Sequence, residues 1–252
     1  MHDTNHSQMD ERSVSADLQY LDIAEGDATS AERYLILAAA GRPAAANEPW
    51  PEFAGRSLDI ALSLAMAVIL LPVMLLIAVA IALADPGPVF FAHRRTGRNG
   101  RQFNCYKFRT MSVGAEEILN RLLANSPAFR NEWARGQKLV QDPRVTPLGR
   151  LLRTTCLDEL PQLFNVLIGD MSIVGPRPII TSELARYGRH AADYLAVKPG
   201  LTGLWQVTRT EETTYRRRVA TDVLYVRNKS LALDCQILLA TIPAVLTGRG
   251  SS

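Results

Sequence analysis

Asp158 and Glu159 stand side by side in the sequence. Adjacent carboxylates are ordinary at a helix start, where the macrodipole favours them, so the pair gains meaning only from its surroundings. Amides at a helix terminus depress a carboxylate pKa and attract phosphate, so one carboxylate can act as nucleophile while its neighbour ligates magnesium. That division of labour suits phosphoryl transfer. Arg177 lies between Pro176 and Pro178, on stiff backbone from which a guanidinium can be offered to phosphate in bidentate fashion. Taken alone it is more often the arginine of an exposed turn. Lys107 and Arg109 alternate with Tyr106 and Phe108, so a strand would project both cations from one face; singly, each also fits a solvated strand. His93 has no visible partner and reads as structural or surface. No HExxH, P-loop, GxSxG or GxGxxG pattern competes for the chemistry.

Elements must hold these residues, and a chain of 252 residues has room for one catalytic domain with extensions rather than two full domains. The hydrophobic fraction of 47% is ordinary but unevenly spread. From Leu58 to Ala84 the sequence reads LDIALSLAMAVILLPVMLLIAVAIALA, long enough at ~1.5 Å per residue to cross a hydrocarbon core of about 30 Å. Pro72, near the middle, removes a helix hydrogen bond. Two readings follow: a kinked spanning helix, or a re-entrant hairpin whose arms return to the face they entered. Charge does not choose between them, because Arg56 precedes the block and Arg94, Arg95, Arg98 and Arg101 follow it. Those cations suit phosphate groups, anionic lipid or both.

The order along the chain is then a polar, flexible leader over 1–52 with a short helix near Tyr34 to Ala40, a membrane segment over 53–86, and a catalytic domain over 87–252. The leader lacks the apolar core of a secretory signal, so the chain is expected to start in the cytoplasm. Cys105, Cys156 and Cys235 lie far apart and follow no CxxC or metal-like spacing, which argues for a reducing compartment and against a disulfide framework and leaves them as small buried apolar residues. Two extended runs around Asn99-Gly100 predict a β-hairpin at the membrane surface. Residues 115 to 139 predict a helical arm broken at Ser126-Pro127. The spacing of Leu157, Leu160, Leu163, Phe164 and Leu167 predicts one helix with Asp158 and Glu159 at its start and Pro161 near its first turn. Ser230 to Leu246 predicts a core or interfacial helix. The fold class is α+β, mostly helical with a short hairpin.

Five blocks carry a more specific signal. The proline-containing apolar block, YKFRTM (106 to 111), DPRVTPLGRLLR (142 to 153), LDELPQLFNVLIGDMSIVGPRP (157 to 178) and PGLTGLWQV (199 to 207) occur in order. Together they resemble the bacterial sugar transferases known as monotopic phosphoglycosyl transferases, over residues 56 to 250, and within them the rhizobial enzymes that open exopolysaccharide synthesis. The resemblance implies a re-entrant helix broken at Pro72 and a catalytic domain on the cytoplasmic face of the bacterial inner membrane. It implies transfer of a hexose phosphate, galactose first and glucose second, from a UDP-hexose to undecaprenyl phosphate, with UMP released. Asp158 would be the nucleophile, Glu159 the Mg2+ ligand, Arg177 the phosphate grip, and Lys107 and Arg109 weaker partners of the same anionic site. Implied partners are membrane lipid and other polysaccharide-assembly glycosyltransferases; nucleic acid is not among them. Two features depart from the family pattern: Thr208-Arg209-Thr210 displaces an arginine often found at 210, and His93 stands where glutamine is common. The alternatives are a non-catalytic scaffold of a polysaccharide assembly complex, which the changed 208 to 210 segment would suit, and a metal-dependent phosphohydrolase.

Overall fold

The apolar block forms a single helix, α1 (Glu52–Ala84, 33 residues). In this computed structural model the described residues are 52–136, 139–209 and 214–246; the leader up to residue 51, its expected short helix and Thr210 lie outside them. Pro72 is inside α1, so the expected break is not an interruption of the helix. Proline forfeits one hydrogen bond, but the leucine, methionine and alanine residues around it are strong helix formers and carry the helix through. The helix is long and apolar enough to cross a membrane, and most of it is exposed.

Both ends of α1 are fastened to the same globular body. At the N-terminal end Arg56 donates to the carbonyls of Val166 (2.5 Å) and Leu167 (2.7 Å), and the Asp59 carboxylate accepts from Ser172 Oγ (3.0 Å) and the Ile173 amide (2.9 Å). Beyond the C-terminal end, the Asp85 carboxylate accepts from the Val113 amide at 2.9 Å, and Arg109 donates to the Asp85 carbonyl. Between these anchors Met74, Ile77 and Ile81 are buried against Phe108 and Leu152, whereas Val68, Ile69, Leu71 and Val73 are exposed.

The chain then turns into the expected hairpin. Strands β1 (Phe90–Thr96) and β2 (Gln102–Phe108) pair antiparallel, with Phe91 opposite Lys107 and Arg95 opposite Phe103. Asn99 takes the left-handed conformation (φ 56°) in the turn, which asparagine tolerates better than other side-chain-bearing residues. Helices α2 (Ala115–Asn125) and α3 (Pro127–Gly136) form the arm, divided at Ser126 as expected. Helix α4 (Pro147–Thr154) is capped by Thr146, whose side chain accepts from the Gly149 amide at 2.9 Å, with Pro147 in the first turn. Gly149 is required there: a Cβ on it would stand 2.0 Å from the Thr110 carbonyl oxygen.

The single helix expected from Leu157 onward is two pieces. A 3₁₀ turn (Leu157–Glu159), entered through Cys156 in the left-handed conformation (φ 57°), precedes helix α5 (Gln162–Ile168). Pro161 caps α5 rather than lying in its first turn, so Asp158 and Glu159 sit on the turn and not at the helix start. Strands β3 (Ser172–Val174) and β4 (Gly200–Thr202) form a parallel pair that the sequence did not announce. Between them come α6 (Thr181–Leu184), a 3₁₀ stretch (Ala185–His190) and α7 (Ala191–Ala196). After them come α8 (Leu204–Thr208), α9 (Tyr215–Arg227) and α10 (Leu231–Leu246).

Helix α10 packs one side into the core and leaves apolar side chains exposed on another. Leu233 and Ile237 join Leu163, Val166 and Ile173 in the main core, while Leu239, Ile242 and Val245 are exposed. Of the cysteines only Cys105 is buried; Cys156 is half-buried and Cys235 exposed. The expectation that all three are buried is corrected, because Cys156 lies in a turn and Cys235 does not face the core side of α10.

One side chain ties α5 to the hairpin. Asn165, with no exposed surface, accepts from the Tyr106 amide (3.0 Å) and donates to the Asn104 carbonyl (2.7 Å). Asn165→Ala leaves both backbone groups unpaired in the interior, at a cost of about 1–3 kcal/mol each. Denaturant unfolding of the purified variant is expected to show at least about 2 kcal/mol lower stability; an unchanged transition would contradict the bridge.

A candidate active site at the Asp158–Glu159 turn

The 3₁₀ turn puts two neighbouring carboxylates beneath the end of β2. Lys107, the penultimate residue of that strand, places Nζ 2.5 Å from Glu159 Oε1 and 3.9 Å from Asp158 Oδ2. One ammonium group thus serves both acids. Asp158 is buried and Glu159 and Lys107 are largely so. Removal from water strengthens their interaction and raises the cost of any unpaired charge.

The two carboxylates titrate in opposite directions. Burial, reinforced by the charge on Glu159, pushes the Asp158 carboxyl above its ordinary value, against the attraction of Lys107 and Arg153. For Glu159, burial also opposes ionisation, but Lys107, Arg177 and Arg95 together outweigh it and hold the carboxyl below its ordinary value. A more basic, more nucleophilic carboxylate therefore lies beside one kept firmly ionised. That split is what a nucleophile and a cation ligand require.

Arg177 lies near enough for its charge to act on the Glu159 carboxyl. Its loop is held on two sides: the Thr96 amide donates to the Ile179 carbonyl (2.8 Å), and the Gly200 amide donates to the Pro176 carbonyl (2.8 Å). Tyr194 Oη fastens the same corner, donating to the Thr96 carbonyl at 2.9 Å and accepting from the Ile179 amide at 3.2 Å. Arg109 is not brought there. The strand ends at Phe108, and Arg109 turns away to Asp85, 3.7 Å from its carboxylate. The expected shared face of Lys107 and Arg109 is corrected on that ground: alternation applies only while the strand continues. His93 is exposed and lies on the hairpin face of Lys107 and Arg95.

Three further cations adjoin the site: Arg95, read in the sequence as part of a basic cluster, Arg209, read as part of the altered 208 to 210 segment, and Arg153, which the sequence did not single out. Arg153, at the end of α4, donates to Thr110 Oγ1 (2.9 Å) and acts on Asp158. Arg95 and Arg209 both lie within the field of Arg177. Arg153 stands five positions before Asp158, but no spacing rule links a residue on one helix to a turn beyond it.

A cleft of about 740 Å³ lies elsewhere, lined by residues such as Arg56, Asp59, Lys198 and Leu238 and by neither Asp158 nor Glu159. The chemistry-bearing residues and this cleft are separate features. For magnesium the donor set is suitable in kind. Among the described residues no group of three or more His, Cys, Asp or Glu side chains could hold a metal ion. Magnesium, however, is ordinarily held by one or two carboxylates together with phosphate oxygens and water. An ionised Glu159 next to Asp158 meets that requirement.

The Lys107 charge predicts a pH effect. Because it favours the ionised form of Asp158, Lys107→Gln raises the Asp158 pKa further. The loss of activity on acidification should then begin at higher pH than in the wild type. Loss of one charge-assisted hydrogen bond, worth about 1.5–3 kcal/mol, should also lower kcat by roughly 10- to 100-fold. The kcat–pH profile checks both; an acidic limb that moves to lower pH would refute the assignment.

The bacterial sugar transferase family model matches residues 50–248. The chain is 52% identical over 167 residues to an undecaprenyl-phosphate galactose phosphotransferase of Salmonella typhimurium, covering 66% of this chain and 35% of that protein. It is 45% identical over 196 residues to the exopolysaccharide production protein ExoY of Sinorhizobium fredii, covering 78% and 87%. With the ExoY protein of Rhizobium meliloti the identity is 49% over 168 residues, covering 67% and 74%. The chain thus spans about a third of the Salmonella relative and most of each ExoY protein. With the family pattern matched from the first turn of α1 to the end of α10, the chain belongs to the bacterial sugar transferase family.

Proposed function

We propose that this protein transfers a hexose 1-phosphate, galactose in the first instance and glucose in the second, from a UDP-hexose to undecaprenyl phosphate, opening an exopolysaccharide repeat unit. The observation that carries the proposal is the paired Asp158 and Glu159 carboxylates, buried on one turn and joined by Lys107 beside Arg177. Two relatives support the substrates by their names, one an undecaprenyl-phosphate galactose phosphotransferase and one, of Erwinia amylovora, a UDP-galactose-lipid carrier transferase.

In this reading an Asp158 oxygen attacks the β-phosphorus of the donor. The bond from that phosphorus to the oxygen bridging to the α-phosphate breaks, UMP departs with the electron pair, and the hexose phosphate is left on the aspartate. A phosphate oxygen of the lipid carrier then attacks the same phosphorus and frees Asp158. Lys107 keeps Glu159 ionised and fixes the direction of both carboxylates; Arg177 orients the donor phosphates. Mg2+ held by Glu159 would neutralise diphosphate charge and stabilise departing UMP.

We place the protein on the inner membrane with α1 re-entrant, bending at Pro72, and the catalytic body on the cytoplasmic face. Support comes from the attachment of both ends of α1 to one body, with Val68, Ile69, Leu71 and Val73 exposed between them. A second support is the exposure of Leu151, Phe164 and Ile168, on the helices that flank the carboxylate turn. Apolar side chains on this side would lower the turn toward the headgroups, where a lipid phosphate can reach it.

Two measurements test the proposal. UMP release by the membrane-embedded enzyme with magnesium and UDP-galactose should turn over only when undecaprenyl phosphate is present, and should vanish in Asp158→Asn. Continued turnover without the lipid would instead indicate a phosphohydrolase, and no UMP from any UDP-sugar a scaffold. Single cysteines introduced next to Arg56 and next to Arg94, in a cysteine-free background, should both be labelled from the cytoplasm alone. Periplasmic labelling of either flank defeats the re-entrant topology.

A further inference from the structure

The cleft of about 740 Å³ stands apart from the carboxylate turn, and its lining is predominantly positive. Arg56 comes from the start of α1, Arg98 from the hairpin turn, Lys198 from the chain before β4, and Arg227 and Lys229 from the end of α9 and just beyond it. The two lining acids are engaged: Asp59 accepts from Ser172 and Ile173, and Asp234 accepts from Tyr225 Oη at 2.8 Å. Even with Asp193 drawn against Arg227 at 3.4 Å, cations outnumber acids. Two of them converge, since a Cβ on Gly169 would stand 3.4 Å from Arg56 Nη2 and 3.8 Å from Lys198 Nζ. Arg56 donates to the Val166 and Leu167 carbonyls, which carry no net charge to offset its own.

Apolar surface lies among these cations, because Phe53, Leu58 and Leu231 line the same cleft and are exposed. An occupant must therefore bring several acids interleaved with apolar side chains. A cavity of this size admits a short stretch of peptide or a headgroup, not a folded domain.

The chain itself carries such a stretch. From Asp3 to Glu32 eight acids stand against one base, Arg12, although the whole chain is positive by three. Within that span Asp17, Asp22, Glu25 and Asp27 alternate with Leu18, Tyr20, Leu21 and Ile23, and no base interrupts them. The leader joins the described chain at Glu52, and the next residue, Phe53, lines the cleft. At ~3.3 Å per extended residue, the link from Asp27 to Glu52 is long enough to return to any part of it. Such a tether makes the encounter intramolecular, with an effective concentration on the order of millimolar. A diester lipid phosphate brings a single negative charge, whereas the stretch brings four.

We propose that the acidic stretch 17–27 of the leader docks in this cleft, its carboxylates on Arg98, Lys198, Arg227 and Lys229 and its apolar side chains on Phe53, Leu58 and Leu231. The docked stretch covers the joint at which Arg56 and Asp59 fasten α1 to the body and shields the cations there from other polyanions. It lies outside residues 50–248, which the family model matches, so the device belongs to this chain and not to the shared fold. The inference is independent of the reaction proposed above.

Full-length protein carrying Tyr20→p-benzoylphenylalanine, a photo-activated cross-linker, would be irradiated in nanodiscs of phosphatidylcholine, alone or mixed with phosphatidylglycerol, and the cross-linked peptides mapped by mass spectrometry. Cross-links are expected on the cleft segments 53–62, 196–198 and 226–238 in both lipids. Reversing cleft charges with Lys198→Glu and Lys229→Glu should lower their yield about tenfold or more, because several tethered ion pairs turn from attraction to repulsion. Reversing the leader with Asp22→Lys and Glu25→Lys should do the same without altering the folded body. Combining all four substitutions should restore the yield, which the mere proximity of a tethered chain would not do. Cross-links that are indifferent to both reversals, or that fall outside the cleft, overturn the docking. Cross-links present in phosphatidylcholine and lost with phosphatidylglycerol give the cleft to lipid headgroups and overturn it equally. Thermal melting identifies a cleft variant that fails to fold, in which case the leader reversal decides alone.

Discussion

A single ammonium group shared between two carboxylates is the interaction on which this architecture turns. Lys107 must stand at the end of a strand, and Asp158 and Glu159 on a turn more than fifty positions later, with their charged atoms within hydrogen-bonding or ion-pairing reach. Buried charges tolerate little error: removing one partner leaves the others uncompensated in a medium that screens poorly. The surrounding fold supplies the necessary rigidity. Asn165 joins the helix after the turn to the strand before Lys107, Thr146 and Gly149 let α4 approach the chain leaving that strand, and Arg56 takes up two carbonyls at the end of α5.

The same side chains that build the site also attach the apolar helix. Arg56 flanks the apolar block in sequence, where it reads as a cation at a membrane boundary; in three dimensions it is a cap for the helix that follows the carboxylate turn. Asp85 and Arg109 close the other end. The catalytic body and α1 are therefore one mechanical unit rather than a domain on a tether, which fixes how far the carboxylates stand from the apolar surface. In the proposed reaction, with one water-soluble and one lipid-borne substrate, that distance is a functional parameter.

Much of the local structure was legible because it depends on neighbours in sequence. The hairpin turn at Asn99-Gly100, the division of the arm at Ser126-Pro127 and the apolar helix all follow from backbone preferences and periodicity over short spans. Periodicity also misled. Leu157, Leu160, Leu163, Phe164 and Leu167 fit a helical face, yet the chain enters that region through a left-handed Cys156 and forms a 3₁₀ turn first. Nothing in the identity of a cysteine announces positive φ. Arg109 was misplaced for a related reason, since alternation says which way a side chain points only while the strand persists.

What the sequence determined by itself was the inventory: two adjacent acids, a stiffly held arginine, a basic strand, and an apolar block too long for an ordinary core helix, arranged in an order that identifies the family. Only the tertiary structure decided which of these meet. It gave Lys107 to the carboxylates and Arg109 to Asp85, and it brought Arg95, Arg153 and Arg209 to a site that sequence spacing did not connect them with. The physical reason is range. Hydrogen bonding and apolar periodicity act within a few residues and leave their mark on the sequence, whereas the electrostatic balance of a site is summed over side chains near in space and far apart in the chain.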